Sequence, residues 1–130
     1  SLLSLAAACR VAYERELWAE AQTLAQKLLT AKPAAHEDPS RAIHTAHTVL
    51  GLLALREGNA VAAAQHLTAS VPASPGDTWA TALPNFQLAA ALLQNGQRTA
   101  VLHYTRQVAA TPFRHPRTNE AVQRYLAALE

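Results

Sequence analysis

The feature that most constrains the fold is a recurring spacing of small residues and prolines. Three times, a small residue is followed 11 or 12 positions later by another small residue, and 12 positions after that by a proline. The three sets are Cys9, Ala21 and Pro33, then Gly51, Ala63 and Pro75, then Ala89, Ala100 and Pro112. Small side chains let the two helices of a hairpin cross closely, and a proline ends the second helix. The spacing therefore predicts three successive helical hairpins.

The composition also favours helices. Half of the 130 residues are hydrophobic, 15% are charged and 5% are aromatic, and Ala and Leu are the most frequent residues. Ala and Leu stabilise helices, whereas an all-β fold needs more aromatic and β-branched residues and more turn glycines than the 4 present. A disordered chain would be less apolar. We expect an all-α fold and a single domain over residues 1–130.

Seven helices are predicted, and the first two of them form either a pair or one bent helix. They lie near residues 2–14, 16–32, 39–57, 60–70, 84–95, 97–110 and 117–129. Gly58 and Gly96 are placed as left-handed turn residues, and Glu14-Arg15-Glu16 takes the equivalent place in the first hairpin. Asp38 is expected to cap the third helix ahead of Pro39, Pro84 to begin the fifth and Thr118 to cap the last. Residues 71–81 are expected to form a long loop.

The clearest unit reads Ala-His-Thr-Val-Leu-Gly-Leu-Leu-Ala-Leu-Arg-Glu-Gly-Asn from Ala46 to Asn59. This pattern resembles the tetratricopeptide repeat (TPR), a helix-turn-helix of 34 residues. The stretch that begins Leu83-Pro84-Asn85-Phe86 is also similar to uncharacterised bacterial repeat proteins. The resemblance implies a right-handed array of TPR-like hairpins near 2–33, 39–71 and 83–112, with a capping helix near 117–129. A helical bundle of another type is the alternative.

The resemblance further implies a concave groove, lined by the first helix of each hairpin, that binds a protein or peptide. Offsets from the small residues give the expected binding residues: Arg10, Tyr13, Glu14, Thr48, Leu52, Leu55, Arg56, Phe86, Leu93 and Gln94. Family members that bind a terminal carboxylate use Lys, Asn and Arg side chains on the face of the groove. Of these side chains, this sequence has only Arg10 and Arg56 at the matching positions. We therefore expect an apolar peptide or helix as the partner. The alternative is that these side chains pack on the capping helix or on a second copy of the chain.

Few side chains offer chemistry. His44 and His47 lie three positions apart on one helical face, as two zinc ligands would, and His66 or His36 could supply a third. Cys9 occupies a helix-crossing position, where a buried thiol is inert. No nucleophile motif or phosphate-binding loop is present, and the 9 carboxylates show no inward-facing pair. We expect no enzymatic activity, no metal and no cofactor.

The chain is mildly basic, with a net charge of +2 and a pI near 9.0. Its C-terminal arginines are interleaved with aromatic residues, as in some nucleic-acid-binding surfaces. They are Arg98, Arg106, Arg114, Arg117 and Arg124. Because Tyr104 and Tyr125 fall on predicted core faces, we do not expect a nucleic-acid partner.

The sequence begins with Ser1 and contains no Met, so we expect a chain processed or excised from a longer one. One cysteine suits a reducing compartment, and no stretch is apolar enough to span a membrane, so a cytoplasmic domain is expected. Two other functions remain open. One is a structural or dimerisation domain of a larger bacterial regulator that uses the apolar residues 83–93. The other is a small helical enzyme or ligand carrier with a pocket under the 71–81 loop near Trp79.

Overall fold

The computed structural model describes residues 1–80 and 84–130. Every regular element in these two ranges is an α-helix, which confirms the all-α part of the predicted fold class. The eight helices there are α1 (Leu2–Glu14), α2 (Trp18–Thr30), α3 (Ser40–Arg56), α4 (Ala60–Ala69), α5 (Asp77–Ala80), α6 (Gln87–Gln94), α7 (Arg98–Ala109) and α8 (Pro116–Leu129). The predicted start of the third hairpin at Leu83 and the end of the predicted loop at Thr81 lie outside the described residues.

The turns between helices are where the sequence placed them. α1 and α2 are two separate helices, and the turn between them closes with the Leu17 N–H donating to the Ala12 carbonyl at 2.9 Å. Gly58 and Gly96 have left-handed φ values of 79° and 81°. Glu16 takes the same conformation, with φ 63°, in the turn after α1. Glycine adopts this conformation without a steric penalty, so its use at two of the three turns has a direct physical reason.

Two predicted helix caps are displaced, one by a single residue and the other by three. α3 begins at Ser40 with Pro39 as its N-cap, although the Asp38 carboxylate does accept the Ser40 N–H at 3.0 Å. α8 begins at Pro116 rather than after Thr118, because the His115 ring supplies the cap. Its Nδ1 accepts the N–H of Arg117 at 3.2 Å. Proline fits the first helical position because no N–H is needed there.

The prediction that Pro84 begins a helix is wrong, since α6 starts at Gln87. Asn85 explains the delay. Its backbone N–H donates to His44 Nε2 at 2.9 Å, and its carbonyl accepts the Tyr104 hydroxyl at 2.9 Å. Its side-chain oxygen accepts the Gln87 N–H at 2.7 Å and so begins the helix there. Hydrogen bonds to distant residues therefore outweigh the local preference for helix.

The predicted 71–81 loop contains the short helix α5 and is tied to the start of α3. The Asp38 carboxylate accepts the Thr78 N–H at 2.7 Å and the Thr78 hydroxyl at 2.9 Å, while Ser40 Oγ accepts the Gly76 N–H at 3.0 Å. Gly76 lies directly against the Asp38 carboxylate, where a Cβ would not fit. Burial raises the pKa of Asp38, but the hydrogen bonds from Ser40 and Thr78 outweigh burial and lower it to about 2.

Helices cross closely at the predicted small residues. Cys9 and Ala21 are both fully buried, and Cys9 Sγ lies 3.6 Å from the Ala21 carbonyl oxygen. A Cβ at Gly51 would lie 3.2 Å from His66 Cβ and would overlap the side chain of Leu88. Gly51 therefore lets α3 approach both α4 and α6. The role predicted for Cys9 and Gly51 is confirmed.

Successive helices pack on their neighbours along the chain. α1 contacts α2 and α3, α3 contacts α4 and α6, α4 contacts α6 and α7, and α7 contacts α6 and α8. Two clusters of buried apolar side chains form the core. The N-terminal cluster lies between α1, α2 and α3, and the C-terminal cluster lies mainly between α4, α6, α7 and α8. α8 covers the C-terminal cluster with Val122 and Leu129.

Trp79, near which a ligand pocket is predicted, lies in the core. Its side chain is fully buried, with the ring 5.7 Å from that of Phe113 and 4.9 Å from that of His44. Its Nε1–H donates to Thr111 Oγ1 at 3.1 Å. The indole is therefore a packed part of the core.

The apolar stretch expected to face a second copy is largely used inside the chain. Leu88, Ala89 and Leu92 of α6 are buried in the C-terminal cluster. The exposed positions on α6 are Gln87, Ala90 and Gln94. This helix therefore offers no large apolar face for self-association.

Gly51→Ala is expected to lower the free energy of unfolding by about 1–3 kcal/mol, because the new methyl group overlaps buried Leu88. In a Leu88→Ala background the same change should cost little, since the overlap is gone and alanine favours helix over glycine by about 1 kcal/mol. Urea unfolding of the four proteins measures both effects. An equal loss in both backgrounds would contradict the close approach of α3 to α6.

Candidate functional site

A groove of about 400 Å³ lies between α1 and α3, and Trp18, Asn85 and Gln87 also line it. We call it the α1–α3 groove. Its lining residues are Arg10, Tyr13, Glu14, Glu16, Trp18, Arg41, His44, Thr45, Thr48, Val49, Leu52, Asn85 and Gln87.

Half of the ten predicted binding residues meet in this groove. They come from two helices that are separated by α2 in the sequence. They are Arg10, Tyr13, Glu14, Thr48 and Leu52. The residues predicted from the offsets on α1 and α3 therefore lie on two helix faces that line the same cavity.

The other five predicted residues do not line this groove. Leu55 and Leu93 are half-buried against the C-terminal cluster, and Gln94 is exposed at the end of α6. Arg56 lies outside the groove and stacks its guanidinium 3.8 Å from the centre of the Trp18 ring. Phe86 lines a different cavity.

The groove has a buried floor and an aromatic wall. Thr48 and Leu52 are buried at its base. The Tyr13 ring lies 5.2 Å from that of Trp18 at a tilted angle of 59°, a favourable arrangement for two aromatic rings. Burial raises the pKa of Tyr13, while the Arg56 charge lowers it by a smaller amount, so the hydroxyl remains a neutral donor. The groove therefore offers apolar surface beside a fixed polar group.

The rim carries charges of both signs. Arg10 and Glu14 approach to 3.8 Å on the exposed face of α1, which contributes little to stability. Arg41 also lies on the rim, and within residues 1–80 and 84–130 its guanidinium forms no ion pair. Arg10 and Arg41 also border a smaller cavity of about 170 Å³ toward the start of α1. Charged groups of a ligand could therefore be paired on either side of the apolar floor.

His44 holds the deep wall of the groove in place. Its Nδ1 lies 3.2 Å from the Ser70 carbonyl and must carry the proton, because Nε2 accepts the Asn85 N–H. Burial lowers the pKa of His44 to about 4, and the bond to Ser70 offsets only part of that effect. The ring is therefore neutral near pH 7 and serves as a structural link.

Sequence reasoning missed Trp18, Arg41, Val49 and Asn85 as groove residues. Asn85 is brought to the groove by its bond to His44, which is 41 positions away, and no periodic signal marks such a contact. Trp18 could have been found as a large aromatic residue in the first turn of α2, beside the turn that ends α1.

A second cavity, of about 510 Å³, lies between the start of α6 and the start of α8. We call it the α6–α8 cavity. Pro84 and Phe86 line it, whereas Asn85 and Gln87 line the groove. Alternate residues of one segment therefore face two different cavities.

The histidines do not assemble as the metal hypothesis required. His44 is bonded to Ser70 and Asn85, whereas His47 Nδ1 lies 3.1 Å from His66 Nδ1 in a separate pair. Burial lowers the pKa of both His47 and His66. Within the described part of the chain, no group of three histidine, cysteine or acidic side chains is placed to hold a metal ion.

Burial raises the pKa of Cys9 to about 11, so its thiol stays protonated.

The arginine and aromatic residues near the C-terminus do not form the stacking surface that was considered for nucleic acid. Tyr104 is fully buried and Tyr125 is half-buried against Phe86. Arg106 lies 3.9 Å from Glu130, and Arg124 lies 3.8 Å from Glu120.

The comparisons with known proteins give no relative for this chain: no family model, curated protein or solved structure matches it. None of the described helices is long and apolar enough to cross a membrane.

Acid is expected to destabilise the fold between pH 6.5 and pH 4. His44 binds its proton near pH 6.5 in the unfolded chain but only near pH 4 in the folded protein, so the unfolded state gains protons first as the pH falls. The stabilisation present above pH 6.5 should therefore decrease by on the order of 3 kcal/mol across this interval. Urea unfolding at several pH values measures it.

The control is His44→Gln, which has no titrating ring and should show a shallower dependence. His47 and His66 remain and act in the same direction, because their pKa values are also lowered. An unchanged slope in the variant would show that His44 is not the titrating group.

Proposed function

We propose that this chain is a non-catalytic binding domain that holds a segment of a partner protein in the α1–α3 groove. The observation that carries the proposal is that Arg10, Tyr13, Glu14, Thr48 and Leu52, chosen by their repeat offsets, line one cavity. Residues that belong to different elements and converge on one concave site are typical of binding sites.

The proposal includes a right-handed TPR-like array with α8 as its cap. Three features support it: each hairpin turn has a left-handed residue, Cys9 and Gly51 lie at close helix crossings, and, with the short α5 left aside, α1, α3 and α4 each contact the next two helices along the chain. In such an array the first helices of successive hairpins form the concave face. α1 and α3 would be two of them. The buried free Cys9 fits a domain that works in a reducing compartment such as the cytoplasm.

The chemistry of the groove favours an apolar side chain flanked by polar or charged residues. Val49 and Leu52 lie beside Tyr13 and Trp18 along the lining, so a leucine or aromatic side chain of the ligand would bury its surface there. The volume of about 400 Å³ is at the small end of ligand pockets, which is suited to one or two anchor side chains. The rim charges would then select the neighbouring residues of the ligand.

Thr45→Arg tests the groove directly. Thr45 lines it, and an arginine there would fill the space and add a charge. Short random peptides displayed on phage are selected on the unaltered domain, and the affinity of the enriched peptides is measured by fluorescence anisotropy. We expect Thr45→Arg to weaken binding by about tenfold or more, which is about 1.4 kcal/mol.

Thr23→Arg is the matched control. Thr23 and Thr45 each donate their hydroxyl to the carbonyl four residues earlier, at 3.0 Å in both cases, but Thr23 lies on α2 outside the groove. Peptides that bind both variants as tightly as the unaltered domain would contradict the groove assignment.

A dimerisation domain is a second candidate, favoured by one observation. Leu3 and Val11 are 46% and 41% exposed on α1, which is unusually apolar for a helix surface. If this face joins two copies, the double change Leu3→Gln and Val11→Gln should convert a dimer to a monomer in size-exclusion chromatography with light scattering. Val61→Gln, at an exposed valine on α4, should leave the mass unchanged. A monomer at every concentration of the unaltered chain would exclude this function.

A further inference from the structure

The α6–α8 cavity has a wall that is apolar and already in place. Phe86 lies on it with Pro84, Ala121 and Val122. The Phe86 ring is held by two tyrosines, with ring centres 4.5 Å away for Tyr125 and 5.6 Å away for Tyr104. A wall fixed by packing costs little entropy when a ligand binds to it.

The loop beside the cavity is fixed as well. Asn119 accepts the Phe113 N–H at 3.1 Å and donates its side-chain amide to the Phe113 carbonyl at 2.7 Å. Phe113 is in turn buried against Trp79. The positions of His115 and of the first turn of α8 are therefore set before any ligand arrives.

The polar groups of the cavity are hydrogen-bond donors. His115 Nδ1 accepts the Arg117 N–H at 3.2 Å, so a neutral His115 ring carries its proton on Nε2. Arg117 has only donors, and among the described residues its guanidinium forms no ion pair. The third polar lining residue is Thr118, and the described lining contains no acidic side chain. The cavity thus joins an apolar wall to a cationic rim.

From this arrangement we propose that the α6–α8 cavity binds a small apolar carboxylate, such as a medium-chain fatty acid or an aryl acid. The hydrocarbon part lies on Phe86 and Val122, and the carboxylate accepts hydrogen bonds from Arg117 and His115. The volume of about 510 Å³ lies within the range of about 300–1,000 Å³ for small-molecule sites.

This site is independent of the function proposed for the groove. The groove and the α6–α8 cavity share no lining residue, and they lie on opposite sides of the segment 84–87. Thr45→Arg is therefore expected to leave carboxylate binding unchanged. Experiments can thus contradict the proposal for one site without contradicting the proposal for the other.

The test is a calorimetric titration at neutral pH with decanoate, and with decan-1-ol as a neutral ligand of matched chain length. Decanoate should bind at least about fivefold more tightly than the alcohol, the difference expected for one exposed charge pair. Arg117→Gln should remove this preference. Arg124→Gln, two helical turns further along α8, should retain it. Equal affinities for the two ligands, or an unchanged preference for decanoate in Arg117→Gln, would contradict the proposal that Arg117 binds the carboxylate.

A second test fills the cavity with a larger side chain. Ala121 is exposed and lines the cavity, so Ala121→Phe should occupy the space without disturbing the core, and binding of decanoate should fall by about tenfold or more. Ala128→Phe places the same ring on α8 two turns away, outside the cavity lining, and should have no effect. Absence of decanoate binding, or binding that Ala121→Phe leaves intact, would overturn the proposal.

Discussion

The structure around both cavities depends on one buried imidazole. His44 of α3 donates from Nδ1 to the carbonyl that follows α4 and accepts at Nε2 the backbone N–H of Asn85. A neutral ring with one donor and one acceptor is the form that satisfies both partners. Because Asn85 also accepts the Tyr104 hydroxyl, this link extends from α3 to α7. The ring therefore fixes the position at which the chain enters α6.

Fixing that segment creates the two sites. Asn85 faces the groove between α1 and α3, whereas Phe86 faces α8 and packs on Tyr125. If the helix began at Pro84, the side chains of Asn85 and Phe86 would be arranged around a helix and would not alternate between the two sides of an extended segment. The late start of α6 thus separates a mixed, partly charged groove from an apolar cavity with a cationic rim. Different ligands suit the two sites because their linings differ in charge and polarity.

A partly buried polar cluster supports the same region. Asp38 accepts hydrogen bonds from Ser40 and Thr78, and Gly76 makes room for its carboxylate. This cluster ties α5 to the start of α3 and keeps Trp79 in the core. This partly buried carboxylate is stabilised because the donors of Ser40 and Thr78 are bonded to it. The described part of the segment predicted as a loop, residues 71–80, is tied by these bonds to the start of α3.

The sequence by itself determined the helical class, the hairpin turns and the crossing points at Cys9 and Gly51. These follow from local rules: alanine and leucine favour helix, glycine accepts positive φ, and only small side chains allow close crossings. It also placed the residues of α1 and α3 that share the groove. The tertiary structure alone decided where α6 begins, that Trp79 is packed in the core and that Phe86 faces a second cavity. Those outcomes depend on hydrogen bonds and packing between residues far apart in the chain, which local periodicity does not encode.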